Sequence, residues 1–192
     1  MKLTANLQII SCKAVNFFFN NSMQQTTIYK ILTFILLPFA ALFGFFAFVM
    51  FFIGLANPVI LLPVFIMACF CIYTIACMIF LVKGIDRQQQ CKPSLKDWIK
   101  VNGYVTAVMG MMSLINSFSV LFYPKSILIK LAGELLAAQP VKPQGITVEA
   151  IAGMMAVLSY IMLFFSIVLL IQLLINFKLL KKYSYLFGGG TQ

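Results

Sequence analysis

Histidine is absent from this chain, and the acidic residues number only four: Asp86, Asp97, Glu134 and Glu149. Arginine occurs once, as Arg87, and tryptophan once, as Trp98. The longest absence is of charge itself, because Ile31 to Val82, Val101 to Pro124 and Ala150 to Phe177 contain no Asp, Glu, Lys, Arg or His. Proton relays, ion-coupled carriers and haem or quinone sites place ionisable or imidazole side chains inside the bilayer. With all four acids outside the charge-free runs, that chemistry is disfavoured, and so is an antiporter built on a membrane-embedded carboxylate. Zinc is disfavoured too, since there is no Cys-x-x-Cys pair and Cys69, Cys71 and Cys77 do not converge on one helix face.

What is present is hydrocarbon. The chain is 62% hydrophobic with a mean hydropathy of +1.03, and 9% of its residues are charged, against about 25% in soluble domains. A spanning helix needs about 20 apolar residues at 1.5 Å each. The first charge-free run therefore holds two spans and the others one apiece, at about 31–54, 59–82, 101–123 and 148–177. The expected fold class is an all-α integral membrane protein, a four-helix antiparallel transmembrane bundle with a short interfacial helix between spans three and four. Its expected extent is 23–183, preceded by a poorly defined leader over 1–22 and followed by a flexible tail over 184–192. The leader is too short and too polar for a span; it could lie flat on the membrane, and a start at Met23, just ahead of span one, is an alternative that would leave it without a function. Its Ile9-Ile10-Ser11-Cys12 has only the outline of a lipoprotein signal.

Local signals set the boundaries. Pro38 is expected in the first turns of span one, where a missing backbone donor costs least. Gly54 to Pro58 reads as a tight turn in which Gly ends the helix, making spans one and two a hairpin. Ser94 is expected to cap span three, answered by Asp97, with Trp98 as the interface anchor. Ser126 to Gln139 has the pattern of a short helix lying in the interface, closed by Pro140, Pro143 and Gly145. Thr147 is the expected N-cap of span four.

The net charge of +10 is carried by flanking lysines rather than by an interleaved basic and aromatic patch, so nucleic acid is not an expected partner. Lys2, Lys13 and Lys30 precede span one; Lys83, Arg87, Lys92, Lys96 and Lys100 follow span two; Lys178, Lys181 and Lys182 follow span four. Only Lys125, Lys130 and Lys142 fall on the other side. Cytoplasmic flanks carry the basic excess, which places both termini in the cytoplasm, and the expected location is the bacterial inner (plasma) membrane.

The strongest polar groups within the apolar runs are Asn116, Gln172 and Asn176. An unpaired amide in hydrocarbon is costly, so these three should form interhelical hydrogen bonds or line a polar cavity, Asn116 being the better cavity candidate. Small residues at spacings of three and four, among them Gly103 and Gly110 in span three, Ala152 and Ala156 in span four, and Ala40, Gly44 and Ala47 in span one, should mark close helix packing. The cysteines are expected to be small apolar packing residues, and the twenty Phe lipid-facing bulk. No nucleophile, base or metal set can be assembled, so no enzyme and no cofactor is expected. The expected partners are the lipid bilayer and a membrane protein or a second copy. The leading function is a non-catalytic subunit, scaffold or accessory factor, and the alternative is a passive channel or carrier for a neutral or apolar solute.

The topology is checked by single cysteines at Ser94 and Gln144 in a background without the native ones. An impermeant reagent should reach them from opposite sides of the membrane; labelling of both from outside contradicts the orientation.

Overall fold

The computed structural model describes the backbone of residues 2–138 and 147–188, and the side chains of these from residue 24 onward. The described residues are helical with no strand: α1 Lys2–Ala56, α2 Leu61–Ile79, α3 Pro93–Phe122, α4 Lys125–Ala137 and α5 Val148–Lys182. A 3-10 turn, Pro58–Ile60, leads into α2, a π turn, Phe80–Asp86, extends it, and a second 3-10 turn, Ser184–Phe187, follows α5. Four segments are long and apolar enough to cross a membrane: Gln24–Ala56, Pro58–Asp86, Pro93–Phe122 and Val148–Lys182. The side chains of the leader, and the Pro140 to Gly145 break, lie outside the described residues.

Several boundaries differ from expectation. The helix is continuous from Lys2 to Ala56, so Pro38 lies in the interior of α1 rather than in first turns. Its missing N–H leaves the Phe34 carbonyl without its usual helical donor, a defect that membrane helices tolerate. Gly54 does not end α1, which continues to Ala56. It lies against the Leu61 side chain, where a Cβ at Gly54 would come 2.7 Å from Leu61 Cδ2. The turn is made instead by Asn57, in extended conformation, whose side chain accepts from the Val59 N–H at 3.3 Å. Ser94 is not a cap, since α3 already begins at Pro93, whose fixed φ and missing donor suit the first helical position. Thr147 does cap α5, its hydroxyl accepting from the Ala150 N–H at 3.2 Å.

Contacts along the chain define two compact units, Met1–Gly103 with Gln172–Gln192, and Tyr104–Ile171. In the first, the stripe of Ala40, Gly44 and Ala47 faces α2. Cys71 donates to the Ala40 carbonyl at 3.3 Å, a Cβ on Gly44 would sit 3.5 Å from Cys71 Sγ, and Phe43 meets Phe70 edge-on at 5.6 Å. Past the π turn, Gln88 takes a left-handed φ of 51°, unusual for a residue with a side chain, and the Gln89 N–H closes on the Lys83 carbonyl at 3.0 Å. The Gln88 amide secures this bend, donating to the Ile85 carbonyl at 2.9 Å and accepting from the Tyr185 hydroxyl at 3.2 Å.

The tail expected to be flexible is ordered over 184–188. Leu186 and Phe187 are buried, Phe187 stacks on Phe80 at 5.4 Å, and the Cys91 N–H donates to the Leu186 carbonyl at 2.7 Å. Two apolar side chains anchor it, and residues 189–192 lie outside the description. Burial pushes the Cys91 thiol above its ordinary range, with the Lys83 ammonium pulling the other way.

In the second unit, Thr106, Gly110 and Ser117 lie on the buried face of α3. A Cβ on Gly110 would stand 3.2 Å from Leu170 Cδ2 and 3.3 Å from Leu169 Cδ2. A bilayer gives helices no hydrophobic drive to associate, so contact of this closeness is what holds them. Outward faces carry large apolar side chains: of the eight Phe between Phe34 and Phe52, six are exposed, with Phe45 and Phe48 each at 64%. In water such a surface would aggregate; in lipid it is solvated.

Gly110→Leu should destabilise the protein in detergent by about 1–3 kcal/mol, the usual range for over-packing. Gly153→Leu should cost nothing measurable, because a Cβ there meets nothing within 4 Å. Equal effects on thermal unfolding would refute close packing at Gly110.

Candidate functional site

Among the described residues, six fully or almost fully buried side chains that can hydrogen-bond lie together at one end of the first unit. They come as three pairs, each four residues apart on its own helix: Tyr29 and Thr33 on α1, Tyr73 and Cys77 on α2, Gln172 and Asn176 on α5. Each pair presents two side chains on one helix face, a turn apart. All six are fully or almost fully buried.

Their hydrogen bonds run from pair to pair. The Tyr29 hydroxyl donates to Asn176 Oδ1 at 3.0 Å, with the Cys77 carbonyl a second acceptor at 3.4 Å. Asn176 Nδ2 donates to Tyr73 Oη at 3.1 Å and to Cys77 Sγ at 3.2 Å. The Tyr73 hydroxyl donates to Gln172 Oε1 at 2.7 Å, and Gln172 Nε2 reaches Thr33 Oγ1 at 3.5 Å. Thr33 returns the chain to α1, donating to the Tyr29 carbonyl at 2.8 Å. Both amides thus donate and accept within the protein, and α1, α2 and α5 are tied to one another.

The depth is informative. Tyr29 adjoins Lys30, Asn176 lies two residues before Lys178, and Cys77 lies six before Lys83. At 1.5 Å per residue, Tyr29, Thr33, Cys77, Gln172 and Asn176 lie within about 10 Å of a flanking lysine along their helices, and Tyr73, ten residues before Lys83, about 15 Å from it. The same flank carries an interhelical ion pair, Lys30 Nζ to Asp86 Oδ2 at 2.9 Å, whose partners are exposed enough that it contributes little to stability.

Gln172 and Asn176 are therefore placed together, in hydrogen bonds rather than in an open cavity. Asn116 lies in the second unit and is exposed. Cys77 is more than an apolar filler, because its sulfur accepts from Asn176. Tyr29, Thr33 and Tyr73 were not singled out in the sequence. The signal was their four-residue spacing, which repeats that of Gln172 and Asn176.

Of the packing candidates, Gly103 is closely packed, since a Cβ there would stand 3.3 Å from the rings of both Tyr73 and Phe177. It brings α3 against the network's Tyr73. Ala152 and Ala156 are half-exposed in the wall of a groove of about 350 Å³ between α4 and α5. Trp98 is 55% exposed in the second turn of α3. Among the described residues, no three Cys, Asp or Glu side chains gather as a metal site. One buried hydroxyl, Thr106 Oγ1 in the second unit, has no partner among them.

Asn176→Leu removes one acceptor and two donors at once, and leaving buried polar groups unpaired costs about 1–3 kcal/mol. It should lower the unfolding midpoint in detergent clearly, while Asn116→Leu leaves it unchanged or raises it. Insensitivity to Asn176→Leu would show that the network contributes nothing.

No protein-family model, no curated protein and no solved structure matches this chain.

Proposed function

We propose that this chain is a non-catalytic integral membrane protein, a subunit, scaffold or accessory factor of the bacterial plasma membrane. In this reading the four long helices form an antiparallel transmembrane bundle with both termini cytoplasmic, and α4 lies at the outer interface. The observation that carries the proposal is the use to which the buried polar groups are put. Tyr29, Thr33, Tyr73, Gln172 and Asn176 bond one another across three helices. Groups so used orient helices; a solute path needs polar groups facing water.

Two surfaces are available to a partner. One is the basic segment from Lys83 to Lys100, held in shape by the Gln88 bend and the docked Leu186 and Phe187. The other is α4, whose Ile127, Ile129 and Leu135 are exposed although Ala132 is buried. Helices whose apolar surface exceeds what one chain can cover are suited to lateral association, where packing and shape decide affinity.

Purification in mild detergent, followed by identification of whatever co-elutes in fixed proportion, tests the reading. A membrane protein in constant ratio, lost when Lys92, Lys96 and Lys100 are changed to Glu or when Leu135 is changed to Lys, is the expected result. A chain that elutes alone and makes liposomes permeable to small neutral solutes would overturn it.

A further inference from the structure

The basic flank, one of the two surfaces available to a partner protein, also carries a groove, and the role assigned to it rests on the membrane-protein reading. Between the end of the α2 segment and the start of α3, within the first unit, lies a groove of about 430 Å³. Its apolar lining is Ile79, Leu95 and Trp98, with Ile79 40% and Trp98 55% exposed. The rest of the lining is Lys83, Gln90, Cys91, Lys92 and Ser94, of which Lys83 and Lys92 are exposed.

No acid lines this groove. The nearest one in sequence to Lys83 is Asp86, and it is held by Lys30 at 2.9 Å. Among the described residues neither Lys83 nor Lys92 is drawn into an ion pair. Two unneutralised ammonium groups over an apolar wall describe an occupant with a negative head and a hydrocarbon body. The depth agrees: Lys83 lies near the end of one apolar segment, Pro58–Asp86, and Lys92 just before another, Pro93–Phe122. That is the level of phospholipid head groups, where an indole is also favoured.

We propose that this groove binds one anionic phospholipid. Its phosphate lies between Lys83 and Lys92 with the Ser94 hydroxyl as a further donor, and an acyl chain runs down Ile79 and Trp98. The docked C-terminal turn reaches the groove through Cys91, which lines it. The Cys91 N–H bonds the Leu186 carbonyl, and a Cβ added to Gly84 would meet Cys91 Sγ at 3.3 Å, so the wall behind Lys83 and Lys92 is closely packed.

The experiment is native mass spectrometry of the full chain released from mixed nanodiscs of phosphatidylglycerol and phosphatidylcholine. One phosphatidylglycerol should stay bound in preference to phosphatidylcholine. Lys83→Gln and Lys92→Gln should each lower the retained fraction about five-fold, which corresponds to about 1 kcal/mol per basic residue near an anionic surface. Trp98→Ala should weaken both lipids, and Lys181→Gln should change nothing. Both lysines are exposed, so the variants should keep the parent unfolding midpoint in phosphatidylcholine. Equal retention of the two lipids overturns the proposal, and so does an effect of Lys181→Gln as large as that of Lys83→Gln, which would mean a diffuse charge effect. Displacement of the lipid by millimolar inorganic phosphate also overturns it, because the site would then recognise an anion rather than a lipid.

Discussion

Inside a bilayer a buried amide or hydroxyl has no water to return to, so the protein itself must supply its partners. In this chain Tyr29, Tyr73 and Asn176 meet that demand through a shared set of bonds, with Gln172 and Thr33 completing it. Forming such bonds gains little, since interhelical hydrogen bonds in membranes contribute about 0.6 kcal/mol each. Leaving one of the groups unpaired costs more, about 1–3 kcal/mol. The asymmetry makes the network a device for specificity. A rotation of α5 by one residue would strip partners from two amides at once, so only one register of α1, α2 and α5 keeps all of them satisfied. Gly103 belongs to the same constraint, since its missing Cβ lets α3 close on Tyr73.

Small residues serve two opposite ends here. At Gly103 and Gly110 a neighbouring side chain stands 3.2–3.3 Å from where a Cβ would be, tighter than ordinary contact, and the missing atom eases the approach. At Gly153, between Ala152 and Ala156, there is nothing within 4 Å, and the same residue type opens a groove. A stripe of small residues therefore identifies a helix face with room beside it. Whether another helix fills that room depends on the neighbour.

Much of the architecture was legible because charge marks it. The number of long apolar helices follows from the charge-free runs, although Lys30, Lys83, Lys100 and Lys178 fall three to seven residues inside the helix ends, and the cap at Thr147 follows from local chemistry. Features set by tertiary contact were not legible. Gly54 carries a turn signal, yet α1 runs past it to Ala56 and it lies against the Leu61 side chain. Ser94 matches a capping pattern, yet Pro93 already occupies the first helical position. Leu186 and Phe187 look like an unstructured end, but Phe80 and the Cys91 N–H are waiting for them. Asn116 and Asn176 look alike as amides in apolar runs. Only the rotational setting of their helices separates an exposed side chain from a fully buried one, and runs apolar on every face give no phase from which to read it.

The central claim is that the buried polar groups are spent on one another and exclude water. The native Cys77 reports on this directly, because it lies inside the network with its sulfur 3.2 Å from Asn176 Nδ2. With the other cysteines changed to Ala or Ser, alkylation of Cys77 by a small maleimide should be much slower in the folded protein in nanodiscs than after denaturation. Loosening the network by Tyr73→Phe should restore part of the rate. Alkylation of folded Cys77 as fast as that of an exposed thiol would show that water reaches the network, and would contradict the account.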